Sequence, residues 1–229
     1  MLTIHVGLHK TGSTAIQQYL SSARANGARR LAYLGQDSLV GSEGFRAPTD
    51  LGQGQSRTLK ILTNHRSVVL SSEHFLGRVW SMYDNARQSA LAIRNHFAQH
   101  TDFQVVIYLR PQYQWFESAY TQFVQEGNHE KPAEFVGNLL SKRNARYSLL
   151  ISDLVAILGA DRLVVRAYTE GTNAVADFLR VVDPSVDFNL DHLPRANVRA
   201  VDGSHDAIVR RRRGRARRGV RVLEPPPPH

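Results

Sequence analysis

Lys10, Thr11, Gly12, Ser13 and Thr14 follow one another in the stretch GLHKTGSTAIQQYL, and Gly7 stands three residues before the lysine. Two glycines, a lysine and three hydroxyl residues within eight positions suit the holding of an anion. Gly12 allows a tight turn with the backbone close to a ligand. Lys10 adds a mobile positive charge, and Thr11, Ser13 and Thr14 add hydroxyl donors. The lysine comes before Gly12, so the order G-x-x-x-x-G-K-[ST] of the usual nucleotide loop is absent.

Such a loop works only if the chain on either side holds it. Residues 2–8 form a short apolar run that reads as a buried strand. A helix is expected to start near Ser13, with Ile16, Tyr19, Leu20 and Ala23 at helical spacing. The helix N-terminus then offers unpaired N–H groups and the positive end of its dipole to the same anion.

A second constellation lies about a hundred residues on, in VVIYLRPQYQWFESAY. Residues 103–109 read as the strongest strand of the chain. Arg110 stands at its end, where ligands of α/β sheets bind. Pro111 opens a helix, and Ser118 falls about two turns into it. Arg110 and Ser118 could reach one phosphate, the arginine as a fork of donors. A third cluster, SSEHF, follows a strand at residues 67–72 and contributes Glu73 and His74 as candidate proton acceptors. His9 lies inside the loop, within reach of a donor or an acceptor. His96 and His100 sit four apart but lack the HExxH pattern of a zinc helix. Trp80, Tyr113, Trp115 and Phe116 read as core.

The motif formed by His5, Gly7, Lys10, Thr11, Gly12, Ser13 and Thr14 resembles the 5′-phosphosulfate loop of sulfotransferases. The segment carrying Arg110 and Ser118 resembles the 3′-phosphate motif of the same family, in its bacterial type. The resemblance spans about residues 1–182. It implies a three-layer α/β/α fold with a mostly parallel central sheet, P-loop NTPase-like. It implies 3′-phosphoadenosine 5′-phosphosulfate (PAPS) as donor co-substrate, bound by Gly7, Lys10, Thr11, Gly12, Ser13, Thr14, Arg110 and Ser118. Lys10 would be catalytic, and Glu73 or His74 the base, Glu73 being the first choice. A sulfuryl group carries less charge than the phosphates of a nucleoside triphosphate, so no metal is expected. The acceptor would be a hydroxyl or amine of a carbohydrate, lipid or small metabolite. A kinase using ATP and Mg²⁺ is the alternative, as is a sulfotransferase-like nucleotide-binding protein with impaired turnover.

Strands alternate with helices over the rest of the chain, the pattern of a mostly parallel sheet covered on both faces. Further strands are expected at 30–34 and 162–166. Further helices are expected at 83–100, 111–126, 132–140, 147–158 and 174–182. Residues 35–55, rich in Gly and polar side chains, read as a long loop that sets acceptor choice. The pattern divides the 229 residues into an α/β domain at 1–194 and a basic, proline-ending tail at 195–229. The tail reads as disordered, or as the out-of-frame ending of a GC-rich gene. Its ten Arg outnumber Asp202, Asp206 and Glu224 by seven, so only two of the net +9 belong to the body. Nucleic acid is therefore not an expected partner. There is no Cys, which excludes disulfides, thiol catalysis and cysteine-ligated metals. No apolar run approaches the length of a membrane span and no signal peptide is visible, so the chain reads as soluble and cytoplasmic. The late Asn-x-Ser segment of the family is only half met, by Asn197 to Arg199.

Overall fold

The fold rests on five short apolar strands, the three central ones largely buried and the last, at one edge, largely exposed. The structure is a computed structural model, and it describes residues 1–25, 31–35, 60, 65, 67–99 and 102–184. The strands are β1 (Leu2–His5), β2 (Leu31–Gly35), β3 (Ser67–Ser71), β4 (Phe103–Leu109) and β5 (Leu163–Ala167). They pair in parallel in the order β2-β3-β1-β4-β5. β1 is central, with Ile4 opposite Leu70 on one side and Val105 on the other.

The two-residue alternation of a strand sorts side chains between two layers. Leu2, Ile4, Val68, Leu70, Phe103, Val105 and Ile107 join the larger apolar cluster on one face. That face is covered by α2 (Ala86–Phe97), α3 (Gln112–Gln125), α4 (Pro132–Leu140) and α5 (Tyr147–Leu158). Tyr33, Val69, Val106 and Tyr108 turn to the other face, against α1 (Ser13–Ala25) and α6 (Ala174–Val182). α6 shows why it docks there: Val175, Phe178, Leu179 and Val182 recur at helical spacing and are all buried. The architecture is three-layer α/β/α with a wholly parallel described sheet, as expected.

Within the layer on the larger side, Arg87 of α2 and Arg143 both pair with Asp153 of α5. The Arg143 hydrogen bond holds the Asp153 carboxyl below the usual carboxylate range. Among the described residues no helix is long and apolar enough to cross a membrane.

Two boundaries differ from the sequence reading for reasons that bear on the site. β1 ends at His5 instead of running to Leu8. Val6, Gly7 and Leu8 leave the ladder to build a loop, although Val6 N–H still donates to Val106 at 3.0 Å. The helix expected from residue 83 begins at Ala86, because Met82 and Tyr83 adopt left-handed backbone with φ of 51° and 57° after a short 3-10 turn at Val79–Ser81. That turn sends the Tyr83 side chain inward. The loop expected at 35–55 lies outside the described residues apart from Gly35, which closes β2. Residues 185–229, which include the whole tail, also lie outside them.

Candidate functional site

Parallel strands place all their carboxyl ends along one edge of the sheet. β1 leads to α1 on one face and β4 leads to α3 on the other, so the two connections part at that edge. A crevice at such a divergence is where open α/β sheets bind ligands.

The loop from Val6 to Gly12 forms one wall of this crevice. A Cβ on Gly7 would sit 2.1 Å from Ser13 Oγ, so a larger residue there would have to displace the Ser13 hydroxyl. Gly12 has φ of 83°, and a Cβ on it would lie 2.7 Å from Ala174 Cβ and 3.0 Å from the Tyr168 ring. Lys10 itself has φ of 67°, a left-handed conformation that costs a lysine about 1 kcal/mol or more. Such strain persists only where the surroundings hold it. Here Tyr83 Oη accepts from His9 N–H at 2.9 Å, Trp115 Nε1 donates to the His9 carbonyl at 2.9 Å, and Arg110 Nη1 donates to the Lys10 carbonyl at 3.3 Å.

The hydroxyl residues of the loop divide in role. Thr11 is fully buried and its hydroxyl donates to the Leu8 carbonyl, which Ser13 Oγ also approaches at 3.5 Å. These two protons therefore serve the loop itself. Thr14 is exposed at the start of α1. The Gly12 carbonyl receives the Ala15 and Ile16 N–H groups and so closes the first turn of α1. The N–H groups ahead of them have no carbonyl behind them within the helix.

His5, which belongs to the loop motif in sequence, lies wholly in the core beneath it. Its Nδ1 is 2.8 Å from Ser71 Oγ, which also receives Gln17 Nε2 at 3.3 Å. Its ring packs against Phe178 and edge-on against Tyr108. Burial pushes its pKa down to about 3, so it is neutral at physiological pH.

Arg110 reaches the loop from the end of β4. Its guanidinium lies 5.8 Å from the centre of the Tyr168 ring, and its Nε is buried without a hydrogen-bond partner. The hydroxyl of Tyr147, at the start of α5, is likewise buried without a partner. Burial raises the Tyr147 pKa, partly opposed by the charge of Arg110. Gln112 Nε2 donates to the Ala145 carbonyl and so ties the start of α3 to the turn that precedes α5. Ser118 is half-buried on α3, three residues past Trp115 and so on the same side of the helix.

The opposite wall is the turn after β3. Glu73 and His74 are both half-buried there, and His74 N–H donates to Ser72 Oγ at 3.1 Å. His9 faces them from the loop. Its Nε2 is 4.0 Å from Glu73 Oε1, its ring centre is 5.2 Å from that of His74, and its Nδ1 is 3.4 Å from Tyr83 Oη. Burial pushes the His9 imidazole down to about 4, helped by His74 and Lys10.

The structure thus brings Lys10, Gly12, Arg110, Glu73 and His74 to one edge, together with three residues whose parts are not visible in the motifs. Tyr83 braces His9, and no sequence signal marks it. Trp115 is core as expected, but its indole N–H also holds the loop. Tyr147 adds a buried hydroxyl near Arg110. Tyr113, expected in the core, is 72% exposed because it falls on the outer side of α3.

The arrangement can hold an anion against a lysine, an arginine and a helix N-terminus, with a carboxylate and two imidazoles nearby to take up a proton. No family model matches the chain, and no curated protein matches it. Among solved structures, a sulfotransferase from Alicyclobacillus acidocaldarius aligns over 80% of this chain and 75% of its own, at 17% identity and a TM-score of 0.46.

Proposed function

We propose that the protein is a sulfotransferase that moves a sulfuryl group from PAPS to a hydroxyl or amine acceptor in the cytoplasm, without a metal ion. One observation carries this reading: Arg110 donates to the carbonyl of Lys10, so two motifs a hundred residues apart form one site. A lysine loop alone suits many phosphates. A lysine loop joined to a second cationic grip suits a nucleotide with phosphate at both the 5′ and the 3′ position, which ATP lacks.

In this reading the 5′-phosphosulfate lies against Gly12, Lys10 and the first N–H groups of α1, with Thr14 at the rim. Arg110 and Ser118 take the 3′-phosphate and orient the donor, a positioning effect. The acceptor oxygen attacks sulfur in line and the bond from sulfur to the bridging oxygen breaks. 3′-Phosphoadenosine 5′-phosphate leaves. Lys10 and the loop N–H groups stabilise charge on the bridging and sulfuryl oxygens. Glu73 takes the acceptor proton, with His74 as the alternative.

Calorimetric titration of the full chain with 3′-phosphoadenosine 5′-phosphate and with ATP tests the assignment. The 3′-phosphorylated nucleotide should bind more tightly, and Arg110→Ala should abolish the difference. Tight ATP binding indifferent to a 3′-phosphate overturns it in favour of a kinase. Product-nucleotide binding with no transfer to any acceptor overturns the enzymatic part and leaves a nucleotide-binding protein.

A further inference from the structure

We infer that His9, Glu73 and His74 form a binding site for one divalent transition-metal ion of the zinc type. Each residue offers one donor atom, and the three atoms lie within 4.8 Å of one another. Two imidazoles and a carboxylate without thiolate make a donor set that zinc accepts with a fourth position open, and that magnesium and calcium do not favour.

The geometry divides the labour among the ligands. His9 is the fixed one: its N–H and its carbonyl are both hydrogen-bonded, to Tyr83 and Trp115. Its ring is oriented as a ligand needs. Nδ1 faces the Tyr83 hydroxyl at 3.4 Å and Nε2 faces Glu73 at 4.0 Å. A histidine ligand is typically held in this way, by a polar partner on its other nitrogen. Tetrahedral zinc bonds of about 2.0–2.2 Å put neighbouring donors about 3.3 Å apart, so Glu73 and His74 must close by about 1 Å. Both are half-buried on a turn and can make that movement by rotamer change.

Lys10 adjoins His9 and opposes a cation, so the site is weaker than a closed structural zinc site. The inference stands on this geometry and does not depend on the donor nucleotide. Taken with the proposed function it has one consequence. The ion would occupy the lone pairs that accept the acceptor proton, so zinc should inhibit transfer.

The test is a titration of the full chain with zinc chloride, read by competition with a chromogenic chelator, for the wild type and for Glu73→Gln and His74→Ala. The wild type should show a zinc class that weakens at least about tenfold in each variant. Excess magnesium should leave that class in place. Thermal midpoints close to wild type keep the variants interpretable, since both side chains are partly exposed. His9→Gln, at a buried position, supplies a third variant with the same expectation. No zinc binding, equal affinity in Glu73→Gln and His74→Ala, or displacement by magnesium overturns the inference. Any of those results leaves the product-nucleotide titration unaffected.

Discussion

The loop from Val6 to Gly12 and the turn after Ser71 leave neighbouring strands at the same edge, yet they are held in opposite ways. The loop is braced from outside itself, by Tyr83, by Trp115 of α3 and by Arg110 at the end of β4. The hydrogen bonds of the turn around Glu73 and His74 are short-range, His74 N–H to Ser72 Oγ and Gly77 N–H to the His74 carbonyl, while Phe75 and Leu76 anchor it in the core. Its two polar side chains keep part of their surface in solvent. The contrast fits the two halves of the proposed transfer reaction. A donor of fixed chemistry rewards a rigid wall, because a preorganised charge needs no rearrangement as the reaction proceeds. An acceptor side can be looser, since one proton acceptor within reach is enough.

The sharpest way to break this contrast is to remove the charge from the rigid wall. Lys10→Ala should lower sulfuryl transfer from labelled PAPS by about two orders of magnitude or more, the usual cost of losing a main charge stabiliser. Its effect on kcat should exceed its effect on product-nucleotide affinity. Near-wild-type turnover would remove Lys10 from the mechanism. On the looser side, Glu73→Gln keeps shape and loses the proposed base. It should lower kcat by about a hundredfold while leaving the affinity for 3′-phosphoadenosine 5′-phosphate within about twofold. A larger loss in His74→Ala than in Glu73→Gln would transfer the role to the histidine.

A smaller effect tests the bracing itself. Trp115→Phe keeps an aromatic body in the core but leaves the buried His9 carbonyl without its donor. Such a loss costs about 1–3 kcal/mol. It should appear in two measurements: a lower unfolding free energy in urea, and nucleotide binding weakened by about tenfold as the strained Lys10 backbone relaxes. Stability lost with binding unchanged would mean that the indole serves packing alone.

Much of this organisation is legible in the residues, and the exceptions share a physical origin. Phe103–Leu109, Pro132–Leu140, Tyr147–Leu158 and Ala174–Val182 have the same bounds in sequence and structure, because each is a long periodic or β-branched run with a clear stop. The Lys10 loop and Arg110 are legible because polar residues follow apolar strands at once. β1 is overextended in the sequence because Val6 and Leu8 are apolar for a different reason, being fully buried residues of the loop that follows the strand. Tyr83 is illegible because a positive φ at a tyrosine depends on what surrounds it. The second role of Trp115 is hidden because a buried indole finds its partner only in three dimensions.

The contrast between wall and turn has a common footing, and that footing gives the smallest effect. His5 and Ser71 are register partners, the last residues of β1 and β3, and they hydrogen-bond to each other directly below the points where loop and turn emerge. The His5 ring faces Ser71, Tyr108 and Phe178, and burial holds its pKa down to about 3. A histidine whose folded pKa lies below its unfolded value near 6.5 contributes its full stability above that value. It loses that stability as the pH falls towards the folded pKa. The loss amounts to about 1.4 kcal/mol per pH unit in this window, because unfolding takes up one proton at this site. His9, down to about 4, has the same sign. Urea unfolding of the wild type between pH 4.5 and 7 should therefore show a proton uptake from these histidines that grows as the pH falls and approaches about two near pH 5. His5→Asn, which keeps a polar partner for Ser71, should reduce the uptake by one and flatten the acid limb. An unchanged slope would mean that His5 opens to water before the protein unfolds. The wall and the turn would then stand on a mobile footing, and the rigidity attributed to the loop would have to come from Tyr83, Trp115 and Arg110 alone.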